Sequence, residues 1–148
     1  MGKVYFHIAG KPDRVLGRVE KDGRVFRDKT GFDEYVGWVD LDKGRIYRKR
    51  FGPDEYIGSL DLTNGKIYRQ VPLARDEYLG EVNERGFMYQ HVSLGADHYL
   101  GVLVDPESIV HTAAAYLLLV LPVLDEKPEE PVENPAEDKK PVDPKKKG

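Results

Sequence analysis

Hydrophobic and polar positions along the chain recur with a period of about 21 residues. A motif of glycine, basic, aliphatic and aromatic residues begins at Gly2, Gly23, Gly44 and Gly65, with a degenerate copy at Gly86, always 21 residues apart. Interleaved with it runs Asp-x-Tyr-aliphatic-Gly-x-aliphatic, centred on Gly17, Gly37, Gly58, Gly80 and Gly101 at spacings of 20, 21, 22 and 21. Each half reads as a strand, because Arg45-Ile46-Tyr47-Arg48 and Glu55-Tyr56-Ile57-Gly58-Ser59-Leu60 are short, aromatic and β-branched. Lys21-Asp22-Gly23, Asp42-Lys43-Gly44, Thr63-Asn64-Gly65 and Glu84-Arg85-Gly86 read as tight hairpin turns, with glycine where a positive φ is required. The other connections, such as Arg50-Phe51-Gly52-Pro53-Asp54, are longer and variable. The pattern predicts five tandem hairpins in a ten-stranded antiparallel meander.

Glycine weakens a strand, so Gly17, Gly37, Gly58, Gly80 and Gly101 need a reason to stand inside one. The aliphatic residues flanking them, such as Ile57 and Leu60, are an odd number of positions apart and would face opposite sides of a regular strand. A bulge at the glycine would turn both toward one core and bend the strand. Cover of the bare glycine by a cross-strand tyrosine is the competing account. The aromatic repeat positions, Tyr35, Tyr56, Tyr78 and Tyr99 among them, are expected to pack structurally rather than to form a stacking platform for a ligand.

After the last hairpin, Asp105-Pro106-Glu107-Ser108 predicts a helix start with Asp105 as N-cap. The helix is expected over about 107–121 and is apolar around nearly its whole circumference, so it belongs in a core or in a membrane. Its uninterrupted apolar stretch, Ala113 to Leu121, is nine residues long. A spanning helix needs about 20, which favours the core. A ring of five bent hairpins removes its exposed edges by closing. Ten strands leave a lumen too wide for their own side chains to fill, since about eight strands already do so. The expected fold is therefore mainly β: a shallow ten-stranded antiparallel barrel over residues 1–122, with one central apolar C-terminal helix whose Ala114, Leu117, Leu118 and Leu121 face the core.

Residues 123–148 are rich in Pro, Glu and Lys and lack aromatics, which predicts a disordered tail, acidic first and basic at its end. The net charge of −3 makes nucleic acid an unexpected partner, and the absence of cysteine excludes disulfides and thiolate metal sites. The N-terminus has no secretory pattern, so a cytoplasmic location is expected, with peripheral membrane association as the alternative.

Repeats of the form Gly-Arg-Ile-Tyr-Arg followed by Asp-Glu-Tyr-Ile-Gly-x-Leu, closed by an apolar helix, resemble the bacterial β-flower proteins. That family has shallow pseudo-symmetric barrels of hairpin petals around a hydrophobic centre, similar in shape to the tubby C-terminal domain. The resemblance covers residues 2 to about 122. It implies no enzyme activity, and through the tubby likeness it implies membrane contact by analogy of fold alone. The Tyr-x-Gly-x-aliphatic core is also similar to MORN repeats, whose tryptophan only Trp38 matches.

Candidate chemistry is sparse. His7 and His91 occupy the same repeat position and would approach each other across a closed seam as a metal pair, although two solvated histidines is the simpler reading. Asp13, Asp33, Asp54, Asp76 and Asp97 would ring one rim, and Arg27, Arg48 and Arg69 would form a partial ring. Turn capping and charge pairing account for both. Pseudo-symmetry gives equivalent carboxylates similar surroundings, which opposes the split pKa values that acid–base catalysis needs. No nucleophile elbow or phosphate loop occurs. The expectation is a non-enzymatic structural or interaction module without cofactor, whose partner is unknown, with protein and membrane lipid as the candidates. The alternatives are a lipid-contacting protein using the helix or the basic tail end, and a small-ligand binder.

Overall fold

The computed structural model describes residues 2–126. Ten strands follow one another: β1 (Gly2–Phe6), β2 (Arg14–Val19), β3 (Arg24–Lys29), β4 (Phe32–Val39), β5 (Arg45–Arg48), β6 (Glu55–Leu60), β7 (Lys66–Arg69), β8 (Glu77–Val82), β9 (Phe87–Gln90) and β10 (His98–Leu103). Each pairs antiparallel with its sequence neighbours, and β1 pairs with β10 to close the barrel. At the four tight turns Gly23, Gly44, Gly65 and Gly86 have positive φ, between 73° and 97°.

The bend comes from a bulge that recurs in five strand pairs. Ile46 pairs with Gly58 and Tyr47 with Tyr56, which leaves Ile57 as an extra residue on β6. Leu16, Val36, Leu79 and Leu100 are left over in the same way. The extra residue curves its strand and lets aliphatic residues on both sides of the glycine reach the core. Leu100 and Leu103 are both buried, while Ile57 packs partly buried beside buried Leu60. The carbonyls of Val36, Ile57, Leu79 and Leu100 accept from the backbone N–H groups of Lys49, Gln70, His91 and His7. The His7 bond, at 2.8 Å, crosses the seam, so closure uses the same linkage as the other strand pairs.

The glycines serve a close backbone approach rather than an aromatic lid. A Cβ on Gly58 would collide with the Tyr68 carbonyl oxygen and lie 2.9 Å from Leu117 Cδ1. Gly17, Gly37, Gly80 and Gly101 likewise face the carbonyls of Phe26, Tyr47, Tyr89 and Tyr5. Tyrosine cover fails as an explanation because strand side chains alternate. The residues before the aromatics, Val4, Val25, Ile46, Ile67 and Met88, are buried, which places the aromatics half-buried on the outer wall. There they pair across strands, Trp38 stacking on Tyr47 at 4.4 Å and Tyr47 meeting Tyr56 at 5.7 Å.

The helix fills the lumen. It runs as α1 (Ile109–Ala115), a π-helical turn (Tyr116–Val120) and α2 (Leu121–Asp125). Residues 110–121 are buried without a break, and Ala114, Leu117, Leu118 and Leu121 all belong to the core. Both ends differ from the expected span. Ser108, not Asp105, caps the start, its hydroxyl accepting from Val110 N–H at 3.2 Å. Asp105 instead has a left-handed backbone (φ 54°), which suits a turn into the barrel. Pro122 does not end the helix, which continues to Asp125 with Val123 and Leu124 packed on the core. An interior proline clashes with the carbonyl four residues back, here Leu118. The wider π turn, in which Leu121 N–H bonds to the Tyr116 carbonyl, relieves that crowding. The segment expected to be a disordered tail falls, from residue 127 onward, outside the described residues.

His111 pins the start of the helix to the barrel. Its Nε2 lies 2.8 Å from the Lys21 carbonyl, which can only accept, so that nitrogen carries a hydrogen; Nδ1 meets Ser108 Oγ at 2.9 Å. Among the described residues Thr112 Oγ1 is a buried polar atom without a partner.

Three substitutions test this packing in thermal and denaturant melts. Leu117→Ala costs about 2–5 kcal/mol through lost burial and a residual cavity. Gly58→Ala costs about 3 kcal/mol or more, because a backbone carbonyl cannot step aside as a side chain can. Thr112→Val stabilises by about 1 kcal/mol, since it removes an unpaired buried hydroxyl while keeping the shape.

Candidate functional site at the helix exit

The two ends of the barrel differ in what surrounds the helix. The tight turns encircle its start, where Lys21 meets His111 and Gly65 faces Ile109. The longer loops encircle its C-terminal exit at Pro122. There the barrel and helix leave two grooves of ≈ 390 Å³ and a smaller one of ≈ 60 Å³. Arg27 stands between the small groove and its neighbour, Arg48 stands between the two large ones, and Arg69 lies at the far side. Tyr35 and Tyr56 each line one large groove, with Leu117 and Pro122 at the base of both.

These arginines occupy one repeat position because the period places each as the fourth residue of its strand, which is the last of β5 and β7. Arg27 reaches the Leu118 carbonyl at 3.5 Å, an acceptor that Pro122 cannot serve because it has no N–H. Arg48 bonds Glu55 at 2.6 Å. That hydrogen bond holds the Glu55 carboxyl below the usual range. Arg69 is partly desolvated, yet Glu77 and Asp125, each 3.0 Å away, push its pKa above the ordinary value. Positive groups at the end of a helix also complement its dipole. The arrangement tethers the helix exit and offers anchored cations to an anionic or polar partner.

The expected rings do not converge on a metal. His7 pairs with Asp13 at 3.3 Å and packs on Tyr99, while His91 lies 3.7 Å from Asp97 and packs on Tyr78. Strand β10 runs between their strands, so the seam does not bring His7 and His91 together. Asp33 pairs with Arg18, and Asp54 accepts from the Trp38 indole at 2.9 Å. Among the described residues no three His, Asp or Glu side chains are grouped to hold a metal ion. The tyrosines Tyr35, Tyr78 and Tyr99 are half-buried, and desolvation raises the pKa of each.

Tyr116 was not singled out by its sequence, being one aromatic in an apolar run. Its hydroxyl donates toward the carbonyls of Leu79 (3.3 Å), the bulge residue, and Tyr89 (3.1 Å), the one that faces Gly80. Desolvation raises its pKa strongly above the ordinary value of 10.0.

Also illegible beforehand were the loop tips. Phe51, Leu73 and Leu94 are fully exposed, each on a different long loop, and Phe32, at the start of β4, is 62% exposed. Leu73 has φ 60°, a left-handed conformation rare for leucine. The available signal was an apolar residue lying off the strand register among turn formers, as in Phe51-Gly52-Pro53, Pro72-Leu73 and Leu94-Gly95.

Tyr116 generates a pH prediction. Its folded pKa is raised, so its contribution is complete below pH about 10 and declines as pH rises further, when the unfolded chain loses the proton first. Tyr116→Phe costs about 1 kcal/mol at neutral pH and flattens the alkaline fall in stability, read from urea melts between pH 8 and 11.

No protein-family model, curated protein or solved structure matches the chain, so the geometry of the barrel and its rim is what bears on function.

Proposed function

We propose that this chain is a non-enzymatic binding module, a plugged barrel that presents its long-loop rim to a partner. The observation that carries this reading is the set of exposed apolar side chains at Phe51, Leu73 and Leu94 on that rim. Exposing one such side chain is ordinary, but repeating it on successive loops is not explained by stability. Leu73 adds a backbone cost of about 1–2 kcal/mol to hold its side chain out. The resemblance to the β-flower proteins supports a role without catalysis. So does the pairing of the rim carboxylates, which leaves Asp13, Asp33, Asp54 and Asp97 tied to barrel partners rather than poised as acid and base.

The helix is not the contact element in this reading. Its apolar surface is consumed inside the barrel, and no helix among the described residues is long and apolar enough to cross a membrane. A second reading, small-ligand binding, is favoured by the two ≈ 390 Å³ grooves divided by Arg48. It predicts a rise in melting temperature with a small anionic ligand, lost in Arg48→Ala.

The module reading is tested with Phe51→Ser/Leu73→Ser/Leu94→Ser, a variant expected to melt at or above the wild-type temperature. In native extracts the wild-type protein should migrate in a larger species and the triple variant as the free chain. If the two migrate alike, or if the variant melts several degrees lower, the tips are not a binding face.

A further inference from the structure

We infer that the long-loop rim docks on an anionic lipid membrane, with the apolar loop tips entering the headgroup layer. This inference rests on the binding-module reading and names its partner. Three observations select a lipid surface over a folded protein.

The first is how the apolar groups are distributed. Phe51, Leu73 and Leu94 stand on three different connections around the helix exit, with Phe32 exposed at the start of β4, and the aromatic contacts of the outer wall include neither Phe32 nor Phe51. The core of a protein interface is a contiguous, well-packed patch. Separate wedges on a ring suit a fluid interface, where each side chain inserts without a complementary pocket.

The second is how the loops are built. A Cβ added to Gly10, Gly31 or Gly52 would meet nothing within 4 Å, so these tips stand clear of the barrel wall. The apolar residues of the opposite rim behave differently. Leu41 and Leu62 lie against the neighbouring turn glycines, 3.3 Å and 3.5 Å from the positions a Cβ would take. Those leucines are packing; the tips are not.

The third is charge. Lys49 and Arg50 precede Phe51, Arg75 follows Leu73 by two positions, and Lys11 lies in the loop after β1. Among the described residues Lys11, Lys49 and Arg75 form no ion pair. Of the acids in the same loops, Asp13 faces His7, Asp54 accepts from Trp38 and Asp97 lies beside His91, which leaves Asp76, next to Arg75, as the one without such a contact among the described residues. Basic groups beside shallow apolar wedges match an anionic bilayer surface, where each Lys or Arg contributes about 1 kcal/mol and is screened by salt.

The test uses the full chain and vesicles of phosphatidylcholine alone or with added phosphatidylserine, an anionic lipid of the cytoplasmic leaflet. The wild-type protein should sediment with the anionic vesicles and release in high salt. Phe51→Ser/Leu73→Ser/Leu94→Ser should weaken that binding by at least about tenfold, and Lys49→Glu/Arg50→Glu/Arg75→Glu should abolish the preference for phosphatidylserine. Because the chain has no cysteine, Leu94→Cys carrying an environment-sensitive fluorophore reports insertion directly. Its emission should shift to the blue with vesicles and be quenched by lipids brominated on the upper acyl chain. Wild-type protein that ignores both vesicle types overturns the lipid assignment, as does undiminished binding by the triple serine variant or a label at position 94 that stays in water. The module reading fails separately. If vesicles are ignored but the larger species in native extracts still depends on the tips, the partner is a protein and only the lipid inference falls.

Discussion

The helix and the barrel each remain unstable until the other is present. Twelve successive helical residues, 110–121, are buried, and an apolar helix of that kind has no soluble existence unless something surrounds it. The ten strands, in turn, enclose more width than their inward-facing side chains can occupy. Val4, Val25, Ile46, Ile67 and Met88 from the odd strands meet the helix from all sides, as do Val39, Leu60, Val82 and Leu103 from the even ones. Core filling is therefore one event, and the strands have little else in common to hold a wide ring to a single diameter.

Backbone geometry makes the ring possible. Each bulge removes one residue from the ladder, and the adjacent glycine admits a carbonyl from the next strand where a side chain would otherwise stand. Curvature and close approach are two aspects of one device, because a strand that bends inward must bring its backbone nearer the neighbour on the concave side. Tyr116 adds a polar clamp from the helix at one of these points, and His111 adds another at the opposite end. Since both clamps join helix to barrel, they set rotation and depth, which apolar contacts alone specify weakly.

The features that suit the proposed binding role lie at one end as a consequence. Tight turns leave no room for elaboration, whereas the longer connections vary in length and composition without disturbing the ladder. The arginines that steady the helix exit also separate the grooves, and the exposed tips stand beyond them. On the proposed reading, such a rim would meet a surface or a small anion.

Much of the fold was legible in the sequence because its information is local and repeated. Period-two alternation, glycine at the turns and an apolar run bounded by polar residues determine strands, hairpins and a helix without reference to distant residues. The inward placement of Ala114, Leu117, Leu118 and Leu121 followed from the same logic. The tertiary structure alone decided the rest. The reason for Gly58 is a carbonyl ten residues away on another strand; Pro122 is accommodated because the crowded helix shifts to a π turn; and Ser108 displaces Asp105 as cap. The separation of His7 from His91 depends on which strand lies between them, and the rim character of Phe51, Leu73 and Leu94 depends on which loops share an end. Periodicity states which face a residue takes on its own strand. Which atoms lie opposite is a property of the closed ring, set by strand order, bulge position and the depth of the helix.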